Sequence, residues 1–94
     1  MSVDVSIIDA EGRSRFEARA DGGLTGYLDY ERGDDTVRYT HTFVSRSSRR
    51  QGIGGELVRG AMEDARHRGL KVEPVCGFVK EWIEQHPGYR ELVS

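Results

Sequence analysis

Three places in this 94-residue chain hold residue types suited to chemistry: His41, Cys76, and the run RRQGIGG from Arg49 to Gly55. An imidazole with an unperturbed pKa near ~6.5 is mostly neutral at pH 7 and can accept a proton. His41 therefore reads either as a hydrogen-bonded histidine at the edge of a core or as a proton acceptor at a site. Cys76, the single cysteine, admits three readings. It is a small apolar packing residue, a nucleophile, or a proton donor. If Gly77 begins a helix, Cys76 lies at its amino end, where the helix field lowers a thiol pKa from ~8.5.

The glycine run raises a different question. A helix beginning near Ile53 leaves backbone N–H groups without partners, and Ser, Thr, Asp or Asn usually caps one of them. Here the cap positions fall on Arg50 and Gln51, which are poor caps, while Gly52, Gly54 and Gly55 remove Cβ atoms that would keep an incoming group off the backbone. An anionic ligand fits that opening, since phosphate at a helix amino terminus meets partial positive charge. Each charge-assisted bond to it is worth roughly 1.5–3 kcal/mol. The stretch lacks the G-x-x-x-x-G-K-S/T order of a P-loop and the G-x-G-x-x-G order of a dinucleotide fold. What remains is R-x-x-G-x-G, short enough to be a purely structural turn when taken alone.

The surrounding elements must position these groups. VDVSIID alternates Val3, Val5 and Ile7 against polar residues. RFEARA places Phe16, Ala18 and Ala20 on one face, and LTGYLDYE does the same with Leu24, Gly26, Leu28 and Tyr30. Asp21-Gly22-Gly23 and Arg32-Gly33-Asp34-Asp35 supply turns, so the first half reads as an antiparallel meander. In TVRYTHTFV, strict alternation puts Val37, Tyr39, His41 and Phe43 on one face. From Ile53 the period changes, and Ile53, Leu57, Val58, Ala61, Met62 and Ala65 form one helical stripe ended by Gly69. Arg66, His67 and Arg68 suit the negative end of the helix dipole without a ligand. LKVEPV returns to an extended pattern. Phe78, Val79, Trp82 and Ile83 then mark a second helix, stopped near His86 by Pro87-Gly88. The order is ββββαβα, an α+β fold in one domain spanning 1–94.

Composition narrows the classes. With 32% charged and 36% hydrophobic residues, the chain reads as globular rather than disordered. A net charge of -2 argues against general nucleic-acid affinity. The cluster Arg46, Arg49 and Arg50 lacks interleaved aromatics for base stacking. His41, His67, Cys76 and His86 lack the paired close spacings of zinc ligands, so no metal is expected. No apolar run approaches the ~20 residues that span a bilayer, and the first residues lack a basic segment followed by an apolar one. Together with one unpaired cysteine, this leads us to expect a cytoplasmic protein. Arg32-Gly33-Asp34 reads as a hairpin turn rather than an adhesion signal.

Taken in order, a meander, Arg49 to Gly54, an amphipathic helix and a strand resemble the GNAT superfamily of acyl-CoA-dependent N-acetyltransferases. Its pyrophosphate loop has the form Q/R-x-x-G-x-G/A, and Arg49, Gly52 and Gly54 occupy those places. The chain is more narrowly similar to the small stand-alone GNAT-like family, in which an H-T-acidic-V strand end, an R-G-Q-G-I-G loop, a P-x-C turn and an H-P-x-Y segment follow in order. Here these are His41-Thr42-Phe43-Val44, Arg49 to Gly54, Pro74-Val75-Cys76 and His86-Pro87-Gly88-Tyr89. Phe43 replaces the acidic residue and Arg50 replaces a glycine.

The resemblance implies a curved mixed sheet splayed between its fourth and fifth strands, with acetyl-CoA as cofactor. Backbone amides of Arg50, Gln51, Gly52, Ile53, Gly54 and Gly55 would grip the pyrophosphate, with Arg49 opening the loop. Backbone near Phe43 and Val44 would pair with the pantetheine arm, and Cys76 would face the thioester. His41 as base and Cys76 as acyl carrier or proton donor, facing each other across the cleft, form the expected catalytic pair. The partners are acyl-CoA and an amine whose identity no motif encodes, and oligomeric state is not encoded either. The competing reading is a coenzyme A binding module that transfers nothing, or a small nucleic-acid interaction domain built on the basic loop.

Overall fold

Alternating strands and tight turns produce the first half of the molecule. The computed structural model describes residues 4–94, with the side chains of Arg49 and Arg50 outside that description; Val3, expected in the first strand, lies outside it too. Strands β1 (Ser6–Ala10), β2 (Arg15–Ala20), β3 (Gly23–Arg32) and β4 (Thr36–Val44) form an antiparallel meander. The β2–β3 hairpin closes on Asp21-Gly22, with φ of 53° and 76°. Both central residues thus have the positive φ that a type I′ turn needs to match strand twist, which explains the Asp-Gly pair.

Helix α1 (Ile53–Arg68) crosses one face of the sheet and returns the chain to β5 (Lys71–Pro74), which pairs with β4 in parallel. Its buried residues are Ile53, Gly54, Leu57, Val58, Ala61, Met62 and Ala65, which include every position of the expected stripe. Gly69, at φ 71°, ends the helix by donating its N–H to the carbonyls of Ala65 and Arg66, a left-handed cap that glycine adopts without Cβ strain. Opposite the stripe, Phe16, Ala18, Leu28, Tyr30, Val37 and Tyr39 complete the core. The Tyr39 hydroxyl donates to the Ala61 carbonyl at 2.6 Å, fixing α1 to β4.

The cations at the end of α1 do more than oppose the helix dipole. Arg68 pairs with Asp64 (2.8 Å) and Asp9 (3.3 Å), and Arg32 pairs with the same two carboxylates (3.2 and 2.9 Å). The Tyr30 hydroxyl donates to Asp9 at 2.5 Å. This network ties β1 and β3 to the last turns of α1.

Helix α2 (Gly77–Glu84) stops two residues before His86, and the H-P-x-Y segment continues as a 3-10 helix from Pro87 to Leu92. His86 stacks on Trp82 at 3.9 Å, Tyr89 lies against Trp82 at 5.0 Å, and the Tyr89 hydroxyl donates to Glu63 of α1 at 2.6 Å. Tyr89 thus has a structural task, holding the C-terminal segment on α1. Val93 then bridges to Val72, so the last residues run beside β5.

Two register shifts correct the expected faces. Ala18 pairs with Gly26 but Arg19 pairs with Leu24, so Thr25 is an extra residue in β3 and Leu24 leaves the inner face. On β4, Tyr30 pairs with Tyr39 whereas Asp29 pairs with His41, so Thr40 is the extra residue. A bulge of this kind reverses side-chain parity. Val37 and Tyr39 face α1, and beyond the bulge Thr42 and Val44 take the inner face. His41 and Phe43, expected beside Tyr39, turn to the outer face, where Phe43 stacks on Tyr27 at 5.2 Å.

Candidate functional site

The sheet opens where β5 leaves β4. Pairing extends only from Thr36–Lys71 to Tyr39–Pro74. The amides of Val75 and Cys76 then both donate to the Tyr39 carbonyl, at 3.1 and 2.9 Å. Pro74 has no N–H to continue a ladder, and the chain turns away into α2. From Thr40 to Val44, the β4 edge facing away from β3 therefore lacks a strand partner among the described residues.

A cleft of about 580 Å³ occupies this opening. Its walls are His41 to Val44 on one side, Gly52, Gly54 and Gly55 at the start of α1, and Phe78 of α2. The N-cap of α1 is Gly52, at φ 73° and without a capping side chain, and not Arg50 or Gln51 as expected, because the helix begins only at Ile53. The first helical bond is donated by the Glu56 amide to the Gly52 carbonyl at 3.1 Å. Amides of Ile53, Gly54 and Gly55 thus precede the helical ladder, as the first donors of any α-helix do. A Cβ on Gly52 would meet nothing within 4 Å, so the loop backbone is open to an incoming group.

The expected site residues divide as follows. Phe43, Val44, Gly52, Gly54 and Gly55 border the cleft. The side chain of Ile53 is buried in the core, which leaves only its backbone for a ligand. Gln51 is the exposed last residue of a 3-10 helix, Arg46–Gln51. The side chains of Arg49 and Arg50 fall outside the described residues. His41 borders the cleft, yet its ring lies toward Tyr27 (6.1 Å between centroids) on the outer face.

Cys76 is the N-cap residue of α2 and is packed against the core from the inner side. The structure therefore does not join His41 and Cys76 as a hydrogen-bonded pair. The side-chain partner of the thiol is Thr42, whose Oγ1 lies 3.4 Å from Sγ. Burial pushes the thiol pKa up, but the Thr42 hydroxyl and the amides of Val79, Phe78 and Thr42 outweigh it, leaving the pKa below its ordinary value. These groups present positive dipole ends that favour a thiolate.

Sequence reasoning missed Thr42 because alternation alone set it on the wrong face. It also counted Phe78 with the buried stripe of α2. Val79, Trp82 and Ile83 are buried, but Phe78 is 47% exposed and leans over α1, where a Cβ on Gly54 would come within 2.9 Å of its Cζ. A position at the first turn of α2, next to the cleft, was the available signal. Among the described residues, no group of three or more His, Cys, Asp or Glu could hold a metal ion, and no helix is long and apolar enough to cross a membrane.

Known proteins share this fold. The structure matches a GCN5-like protein from Staphylococcus aureus determined by NMR, with TM-score 0.71 and 23% identity, covering 99% of this chain and 89% of that one. It also matches ribosomal-protein-alanine N-acetyltransferase from Brucella melitensis biovar Abortus 2308, with TM-score 0.66 and 16% identity over 90% of this chain and 89% of that one. Ard1 from Thermoplasma volcanium gives TM-score 0.62 and 20% identity over 82% of this chain and 54% of that one. At these identities the likeness establishes the fold, with its mixed sheet open between β4 and β5. No curated protein sequence matches the chain. The family model described as GCN5-related N-acetyl-transferase matches residues 15–92, so the chain belongs to the GCN5-related N-acetyltransferase family.

Proposed function

We propose that the protein is a single-domain, cytoplasmic N-acetyltransferase that takes an acetyl group from acetyl-CoA and delivers it to an amine. The observation that carries this reading is the meeting of two unsatisfied backbone surfaces in one cleft: the first amides of α1 and the unpaired edge of β4. The residues present fit coenzyme A. Amides of Gly52 to Gly55, with the preceding Arg49 to Gln51, would bind its pyrophosphate, which gains from the helix field. The β4 edge at Phe43 and Val44 offers amide and carbonyl groups to the pantetheine arm as a further strand would.

When bound, the cofactor supplies an activated thioester acyl group. Residues of the chain would then approach from two sides. Cys76, with its thiolate favoured, is suited to accept an acyl group and pass it on, or to protonate the departing thiol. His41, on the outer face, is suited to take a proton from an amine arriving there.

Differential scanning fluorimetry and calorimetry with coenzyme A test the binding. A ligand at 100 times its Kd adds about 2.7 kcal/mol, which raises the melting point of a domain this size by about 10 °C or more. Gly54→Asp should abolish the shift, because its Cβ collides with Phe78 and its carboxylate enters the anion position. Absence of heat and of any melting shift with the wild-type chain would refute the reading. With binding in hand, acetyl-CoA consumption over an amine library separates a transferase from a module that only binds. Intact mass of wild-type and Cys76→Ala protein after exposure to acetyl-CoA reads the acyl-carrier step.

A further inference from the structure

The bulge at Thr40 decides which faces the next two residues take, His41 the outer and Thr42 the inner, and of the two only Thr42 meets the thiol. We propose that Thr42 is the positioning residue of Cys76, holding Sγ at the start of α2 and donating its hydroxyl hydrogen to the thiolate. His41 takes no part in readying the sulfur. The inference rests on the proposed role of Cys76 in acyl transfer, although its test needs no cofactor.

Both ends of the contact are fixed by the fold. The Cys76 amide is tied to the Tyr39 carbonyl at 2.9 Å, and the Cys76 carbonyl accepts from the Lys80 amide at 3.0 Å in the first turn of α2. Thr42 sits two residues beyond the bulge, opposite Leu28 on β3, with its side chain at the cleft wall. Oγ1 and Sγ at 3.4 Å can exchange roles, since either atom can donate. With a neutral thiol, S–H can point to the hydroxyl oxygen. With a thiolate, only O–H to S⁻ remains, and that charge-assisted arrangement is the stronger one.

The other groups at the sulfur are the amides of Val79, Phe78 and Thr42. The charged neighbours on the packed elements are otherwise engaged or turned away. Glu73 of β5 pairs with Arg38 at 3.3 Å, and Lys80 of α2 is exposed. His41 on β4 faces Tyr27. Thr42 is therefore the side chain that adjusts the thiol, through a hydroxyl that valine lacks and serine retains.

The rate of Cys76 carboxamidomethylation by iodoacetamide, followed by intact mass across pH on the full chain without cofactor, tests this. Thr42→Val should move the titration midpoint up by about one unit, a roughly tenfold loss of rate at neutral pH. Thr42→Ser should restore the wild-type midpoint, and His41→Gln should leave it unmoved. A packing role for Thr42 would alter the melting point and not the midpoint. Thr42→Ala provides a second hydroxyl-free variant and should shift in the same direction as Thr42→Val. An unshifted midpoint in the folded hydroxyl-free variants would overturn the proposal. So would failure of Thr42→Ser to restore it, or an equal shift in His41→Gln. Because coenzyme A is absent, loss of this result leaves the cofactor reading standing, and loss of cofactor binding leaves this result standing.

Discussion

Gly26 offers a stringent test of how β4 is held beneath α1. It lies on the inner face of β3, paired with Ala18 on one side and Val44 on the other. A Cβ built there would stand 2.7 Å from the Phe43 carbonyl oxygen, 3.3 Å from Leu57 Cδ1 and 3.4 Å from Val44 Cα. Weak C–H···O contacts lie near ~3.3–3.6 Å, so alanine needs the β4 backbone to move by more than about half an ångström. That backbone is paired, and Leu57 presses from above, so the strain cannot pass to a free side chain. Overpacking of this kind costs about 1–3 kcal/mol, and the backbone entropy alanine saves returns only about 0.5–1 kcal/mol. The net loss of about 1–2 kcal/mol lowers the melting point by about 5–15 °C, measured by circular dichroism or scanning calorimetry. Gly77→Ala is the control, since its Cβ meets nothing within 4 Å, and it should melt at or slightly above wild type. A Gly26→Ala protein as stable as wild type, or a Gly77→Ala protein equally damaged, would refute the described packing.

Tyr39→Phe removes the buried bond to the Ala61 carbonyl and should cost about 1 kcal/mol in urea unfolding; unchanged stability would show that α1 is not anchored there. Burial and the bond to Asp9 push the Tyr30 pKa up from 10.0 to about 12. A group whose folded pKa is raised contributes stability that is full below the unfolded value and lost as pH climbs to the folded one. Unfolding free energy should therefore fall between pH about 10 and about 12, and Tyr30→Phe should lower that slope by up to one proton; parallel curves for the two proteins would contradict the assignment.

Much of this architecture is legible in the letters because it rests on local rules. The stripe from Ile53 to Ala65, the glycine stop at Gly69 and the Asp21-Gly22 hairpin each follow from periodicity or from a φ value that few residues accept. The bulges at Thr25 and Thr40 escape such reading. Period-two alternation assumes that every residue is paired, and nothing in RYTHTF marks one as extra. The partnership of Thr42 with Cys76 was hidden for the same reason, and the role of Tyr89 required knowing that Glu63 on α1 lies within reach. In the loop before α1 the cap falls on Gly52 rather than on Arg50 or Gln51, so the open glycines, and not the poor capping residues, were the legible signal there.

A single unpaired threonine divides β4 into two halves, odd-numbered residues facing α1 before it and even-numbered residues facing inward after it. Deleting Thr40 would join Tyr39 directly to His41 and turn the existing pairs Tyr30–Tyr39, Asp29–His41 and Leu28–Thr42 into a regular ladder, leaving imidazole and phenyl ring outside and the Thr42 hydroxyl inside. Loss of Thr40 should therefore be tolerated far better than loss of a residue from the regularly paired stretch before it, which would reverse the faces on one side of the gap.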